Sequence, residues 1–365
     1  MYDLIVVGGG PAGTSAAITC ARQGARVLAV ERGQFPRHKV CGEFVSAESL
    51  GLLSDLLVPQ RAWLFDNAIR IDRARLFLDG RKIETPFDPS AASISRWDLD
   101  AALWESAESS GVDGRQQVVV HSISGTGPFL VTTSAGEFQG RALINASGRW
   151  SNLNLKGTSV AKTAVKWLGL KAHFAESPPQ ASVDLYFLDG GYCGVQAVNL
   201  GNGDEQSERV NVCAMVRADV ARTLPEVFDC HPALQKRSRG WRQLSDPVTT
   251  SPLVFRQPQP ERDAILMTGD AAGFIDPFVG DGVSLALRSG TLAGECLLPF
   301  FAGKISLPQA ARDYRSAYER RLTPVFRTAA RIRRVLSLPQ QLRIPIFRVL
   351  EKMPAITRYL MRKTR

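Results

Sequence analysis

Tyr2-Asp3-Leu4-Ile5-Val6-Val7-Gly8-Gly9-Gly10-Pro11-Ala12-Gly13-Thr14 decides the reading of this chain: an apolar run ends on a cluster of glycines and passes directly into a helix-like segment. Tyr2 to Val7 reads as a strand and Thr14 to Gln23 as a helix. Gly8 permits the tight turn between them, Gly10 lets a diphosphate approach the backbone, and Gly13 lets helix and strand pack closely. Pro11 and Ala12 belong to the same turn, and the helix N-terminus behind them faces the diphosphate. A second strand, Arg26 to Val30, ends at Glu31, about 20 residues beyond the glycines, where a carboxylate can accept both hydroxyls of an adenosine ribose. Arg32 follows at the same strand end. Strand, turn, helix, strand and acid stand in the order that binding an adenine dinucleotide requires.

The same fingerprint serves NAD and FAD, and residues 269–283 choose between them. Gly269-Asp270-Ala271-Ala272-Gly273-Phe274-Ile275-Asp276-Pro277-Phe278-Val279-Gly280-Asp281-Gly282-Val283 follows an apolar strand, Ala264 to Met267, and leads into a helical segment, Ser284 to Leu298. Asp270, just past a strand, can bind a ribityl chain, while the turn through Gly280 and Gly282 to Val283 aims N–H groups at a flavin's pyrimidine edge. A helix N-terminus favours the negative charge that a reduced flavin carries there. This segment resembles the second flavin motif of the p-hydroxybenzoate hydroxylase-like flavoproteins, a superfamily that includes geranylgeranyl reductases and flavin-dependent halogenases.

Three further segments fit the resemblance, which covers most of the chain from Met1 to about Gly303. Arg37 to Glu43 resembles the Lys-x-Cys-Gly loop that geranylgeranyl reductase-like members place beside the isoalloxazine, which implies that Lys39, Cys41 and Gly42 contact the cofactor. Ser95 to Leu103 is similar to a helix that lies along the cofactor and brings Arg96 to it. Leu143 to Gly148 resembles the strand and small-residue turn that close the site with Ser147 and Gly148. The resemblance also sets Pro277 and Phe278 near the reactive face of the flavin, and Tyr192 and Cys193 in the substrate cavity. It implies non-covalent FAD, reduced by NAD(P)H or by a partner reductase.

The departures carry information too. Many hydroxylases of the superfamily have Asp-Gly where this chain has Ser147-Gly148, a pair implicated in binding both FAD and NAD(P)H. Gly191-Tyr192-Cys193-Gly194-Val195-Gln196 begins like the substrate-sheet segment of geranylgeranyl reductases and then diverges, so their isoprenoid substrate does not carry over. None of the tryptophans stands in the Trp-x-Trp-x-Ile-Pro frame of halogenases, which disfavours halogenation.

For catalysis the candidates are Cys41, Glu43 and Pro277. Cys41 is either a thiol beside the ring or a small packed hydrophobe. Glu43 is either a general acid or base, if a dry site raises its pKa, or an ion-pair partner of Lys39 or Arg37. None of the four histidines, His38, His121, His173 and His231, is assigned as a base. The leading expectation is a monooxygenase that hydroxylates an organic substrate through reduced flavin and O₂. The alternative is an ene reductase of geranylgeranyl reductase type, and a third reading is a flavoprotein acting on a protein-bound or carrier-bound substrate.

The expected fold is α/β: a Rossmann-like FAD domain built from 1–67, 95–160 and 258–302, interleaved with a mainly antiparallel substrate sheet from 68–94 and 161–257. Residues 303–365 form a basic helical tail. A length of 365 residues accommodates two lobes. Six scattered cysteines without Cys-x-x-Cys spacing suggest neither a disulfide framework nor a zinc site, and no metal ligands are assigned. A reducing cytoplasm is the simplest home, with peripheral membrane contact as the addition that the tail suggests.

The net charge of +10 is concentrated at one end. Arg312 to Arg365 holds 15 Lys and Arg against 3 Asp and Glu, a surplus of +12, which leaves 30 against 32 in the first 311 residues. Leu322, Val325, Phe326, Ala329, Ile332, Val335 and Leu336 recur at helical spacing within this segment, and Pro324, Pro339, Pro345 and Pro354 divide it. It reads as a helical cap with a solvated basic face, or as a docking surface for an acidic protein or an anionic membrane. No recognition motif accompanies the charge, so nucleic acid is not expected.

Overall fold

In the computed structural model residues 1–149, 166–201, 208–251, 253, 255 and 257–352 are described. The opening strand, Tyr2–Val7, lies at the centre of the first sheet, with Val27–Val30 and Gly136–Asn145 parallel on its two sides. Ile265–Met267 extends the sheet beyond Gly136–Asn145, and Asp113–Arg115 extends it beyond Val27–Val30. Parallel strands covered on both faces are apolar throughout, and Leu4, Ile5 and Val6 are each fully buried. The sheet therefore aims the C-terminal ends of Tyr2–Val7, Val27–Val30, Gly136–Asn145 and Ile265–Met267 at one crevice.

The helices Pro11–Ala21 and Gly282–Phe301 pack backbone to backbone. A Cβ on Gly290 would lie 2.0 Å from the Ala12 carbonyl oxygen, so a side chain there would drive the helices apart. The contact fixes the two glycine-rich turns against each other.

The second sheet runs Trp167–Ala175, Arg209–Arg217, Gly191–Ala197, Ser182–Leu188, Ile69–Leu78, Arg81–Ser93 and Phe44–Val45. Neighbours are antiparallel except where Ser182–Leu188 meets Ile69–Leu78. Strand alternation splits its side chains between two faces. Ala172, Phe174, Cys193, Val195, Val210 and Val212 face a core that the helices Leu224–Asp229 and Pro232–Ser238 cover through Val227, Phe228 and Leu234. Gly169, Leu185, Phe187, Tyr192, Gly194 and Met215 face the first sheet instead and line a cavity between the two.

The basic tail forms three helices among the described residues, Leu307–Arg321, Thr323–Leu336 and Gln340–Lys352. Leu322, Val325 and Ala329 are buried, and Phe347 packs on Leu78 and Ile83 of the second sheet. The tail thus lines one end of the cavity. Gly191–Ala197 and Arg209–Arg217 pair antiparallel, and residues 202–207 of the connection between them lie outside the described residues. The domain boundary expected at 160 and the end of the tail beyond 352 also lie outside the described residues.

Candidate active site

One cavity of about 1320 Å³ runs between the two sheets. Drug-sized sites occupy about 300–1,000 Å³, so there is room for more than one small molecule. Its first end is built by the opening turn. Gly8 has φ +107°, and a Cβ there would lie 2.4 Å from the Ala146 carbonyl oxygen, while the space beside Gly10 is open as far as Arg96 Nη2 at 4.0 Å. Gly13 does not reach the cavity: a Cβ there would lie 1.8 Å from the Gly8 carbonyl oxygen, which makes it a packing residue.

The helices Pro11–Ala21 and Gly282–Phe301 both begin at the cavity, and neither N-terminus takes a side-chain cap. Their free N–H groups and dipoles suit anions. Glu31 lies at the same end, its Oε2 accepting the Gly9 N–H at 2.9 Å and its Oε1 accepting the Gly33 N–H at 2.8 Å. Burial would raise its pKa, but Arg37 at 2.9 Å and the two N–H donors more than offset this and hold it below the usual range. Lys39 lies on the cavity too, pushed down to about 8 by burial and by the neighbouring Arg37 and Arg96.

The middle of the cavity is lined by Arg32, Cys41, Gly42, Arg96, Ser147, Gly148, Gly269, Asp270, Pro277, Phe278, Gly280, Gly282 and Val283. Arg96 is held by Asp100 at 2.6 and 2.5 Å, and Ser147 by Asn145 Oδ1. Asp270 pairs with Arg149 at 3.3 Å. Although 38% of its side chain is open to the cavity, protein surrounds that space, and the enclosure raises its carboxyl pKa against the pull of Arg149. Cys41 receives the Glu43 N–H at 3.3 Å on its sulfur.

An FAD molecule fits these features: a glycine turn that a Cβ would fill, two uncapped helix starts about the same crevice, and a fixed carboxylate, Glu31, at the end that the opening turn builds. Glu31 would meet the ribose, Gly10 to Ala12 the diphosphate, Asp270 the ribityl chain, and Gly280 to Val283 the ring.

Two expectations are corrected. Glu43 is fully buried with a left-handed φ of +61°, and its carboxylate pairs with Lys171 Nζ and, at 3.0 Å, with His173 Nε2. Burial alone would raise its pKa, yet Lys171 and His173 bring it down to about 2. Held below its ordinary value it is an ionised anchor for the loop, and its partners are neither Lys39 nor Arg37. It also accepts the Arg96 N–H at 2.9 Å, which ties the Cys41 loop to the helix beside it. Cys193 does not reach the cavity. It is fully buried on the covered face of the second sheet, because strand alternation gives the cavity to Tyr192 and Gly194.

Sequence reading also missed Lys171, His173, Asp276 and Arg333. Lys171-x-His173 in a strand sets both side chains on one face, and that spacing was a usable signal. Asp276 Oδ1 accepts from the Tyr192 hydroxyl at 3.4 Å, and its other oxygen lies 3.0 Å from Arg333 Nη1 of the tail. The Arg333 guanidinium stacks 3.7 Å from the Phe255 ring centroid. Burial pushes Asp276 up to about 6 although Arg333 opposes the shift, and burial pushes the Tyr192 phenol well above its ordinary value.

Comparison with known proteins agrees with this geometry. Residues 3–36 match the family model described as FAD dependent oxidoreductase. The menaquinone reductase of Mycolicibacterium smegmatis is 26% identical, over 94% of this chain and 86% of its own. The digeranylgeranylglycerophospholipid reductase 2 of Methanopyrus kandleri is 24% identical, over 92% of this chain and 87% of its own. Among solved structures, the flavin-dependent brominase Bmp2 superposes with a TM-score of 0.80 at 21% identity, covering all of this chain and 93% of its own, a likeness of fold.

Proposed function

We propose that this chain, an FAD-dependent oxidoreductase, saturates a carbon–carbon double bond in a long, apolar, isoprenoid-type substrate. The observation that carries the reading is the cavity beyond the flavin end. There Leu76, Leu78, Ile83, Phe187, Met215 and Phe347 form an apolar wall, with Arg81, Thr85 and Arg331 as its polar side chains. An extended hydrocarbon gains from each buried methylene, about 0.8 kcal/mol apiece. A small polar substrate would leave that surface wet. The menaquinone and digeranylgeranylglycerophospholipid reductases among the relatives support the same class, against the expectation drawn from the divergent segment at 191–196.

Saturation needs a hydride and a proton. The hydride is the chemistry that FAD would supply when bound and reduced. Tyr192 holds the proton at Oη, where its raised pKa keeps the phenol neutral. Asp276, within 3.4 Å and pushed up to about 6, is placed to replace that proton. The walls exclude water, and the Glu43–Lys171–His173 cluster fixes the loop that carries Cys41.

The test is product mass. Holoprotein with chemically reduced flavin, incubated without oxygen with a polyprenyl lipid that carries no quinone, should yield product heavier by two hydrogens. Hydroxylation, the reaction expected first from the sequence, would instead give a product heavier by one oxygen and only in air.

A further inference from the structure

The two last helices present two stripes that meet at the rim of the cavity. Arg327, Arg331 and Arg334 recur at i, i+4 and i+7 on Thr323–Leu336, all exposed, and none has an acidic partner among the described residues. Leu342, Ile346 and Val349 recur at the same spacing on Gln340–Lys352 and are 59%, 36% and 51% exposed. They are most of the large exposed hydrophobics among the described residues. Arg331 and Ile346 also line the cavity, so the basic stripe and the apolar stripe border one opening. Arg343, by contrast, is committed: it reaches Asp79 at 2.8 and 2.7 Å and pins the last helix to the turn of the Ile69–Ser93 hairpin.

We propose that this edge docks on an anionic lipid bilayer, with Leu342, Ile346 and Val349 entering the acyl boundary and Arg327, Arg331 and Arg334 meeting lipid phosphates. Charge complementarity names the occupant: residues 323–349 hold six arginines and no acid. An acidic protein would satisfy the arginines and leave the apolar stripe in water. A membrane satisfies both, because an amphipathic helix lies in the interface with its apolar side immersed and its cations among the headgroups. Docking in this orientation brings the apolar cavity against the hydrocarbon, so a lipid substrate enters without crossing water. The last point rests on the function proposed above; the docking itself does not.

The experiment is co-sedimentation of FAD-loaded protein with vesicles of phosphatidylcholine alone or mixed with phosphatidylglycerol. The wild type should sediment with the anionic vesicles at low salt and release as salt rises. Arg327→Gln with Arg334→Gln should weaken binding by roughly 30-fold, about fivefold per arginine. Leu342→Asp with Val349→Asp should abolish binding at any salt. Flavin content and circular dichroism serve as folding checks for both pairs. Failure of the wild type to bind anionic vesicles at low salt overturns the proposal. Binding that the arginine changes remove and the Asp pair leaves intact also overturns it, and points to an acidic protein partner. Turnover is not part of the readout, so a wrong substrate assignment cannot mimic either result.

Discussion

Glu43 carries more of the site's architecture than any residue recognised from a motif. Its carboxylate is shared by Lys171, His173 and the Arg96 N–H, joining the cofactor loop to the second sheet and to the helix Arg96–Ser109. Glu43→Gln leaves Lys171 buried without its counter-charge, and breaking such a pair costs about 3–5 kcal/mol. The stability that ionised Glu43 contributes is complete above the ordinary carboxyl value of 4.5 and is lost as pH falls towards about 2. Chemical denaturation at neutral and acid pH should therefore show a large loss for the variant near pH 7 and a much smaller difference near pH 2; equal losses at both would contradict the assignment. Tyr192→Phe is the complementary test, since it keeps the ring and removes only the proton held at Oη. Turnover should fall by about 100-fold or more, with flavin content unchanged. Full activity would remove Tyr192 from the proton path.

At the scale of elements, the tail is joined to the chemistry through Arg333. Its guanidinium lies between Asp276, beside the flavin turn, and the Phe255 ring, so Thr323–Leu336 is clipped to the cavity and is not merely apposed to it. Removing a neighbouring cation raises a carboxyl pKa. Arg333→Gln should therefore move the Asp276 titration above its present value of about 6 and shift the pH profile of kcat/KM the same way. An unmoved profile would place Asp276 outside the proton path. These elements were not equally legible in the sequence. The opening strand and turn and the Gly282–Phe301 helix announce themselves because glycine spacing and apolar runs are local signals. The Glu43 cluster is not local: its members are separated by 128 and 130 positions and meet only when Phe44–Val45 joins the second sheet beside Ala92 and Ser93. Cys193 was misplaced for a smaller reason, the parity of one strand. The tail's periodicity was readable, yet nothing in it told which arginine would be buried against Asp276.

The whole molecule is two sheets that share one cavity, with the first presenting glycine turns and helix starts to FAD and the second presenting an apolar wall. The C-terminal helices line the far end. Cofactor and substrate must therefore lie in one continuous space, and substrate length should govern how fast electrons leave the flavin. Single-turnover reoxidation measures that coupling directly. Holoprotein is reduced without oxygen and mixed with a polyprenyl lipid that carries no quinone, or with the same lipid truncated to one isoprene unit, while the visible absorbance of oxidised flavin is followed. The full-length substrate should restore the absorbance under strict anaerobiosis and in step with a product that has gained two hydrogens, and the truncated one should not. Absorbance that stays bleached with either compound until oxygen is admitted would contradict double-bond reduction by this protein.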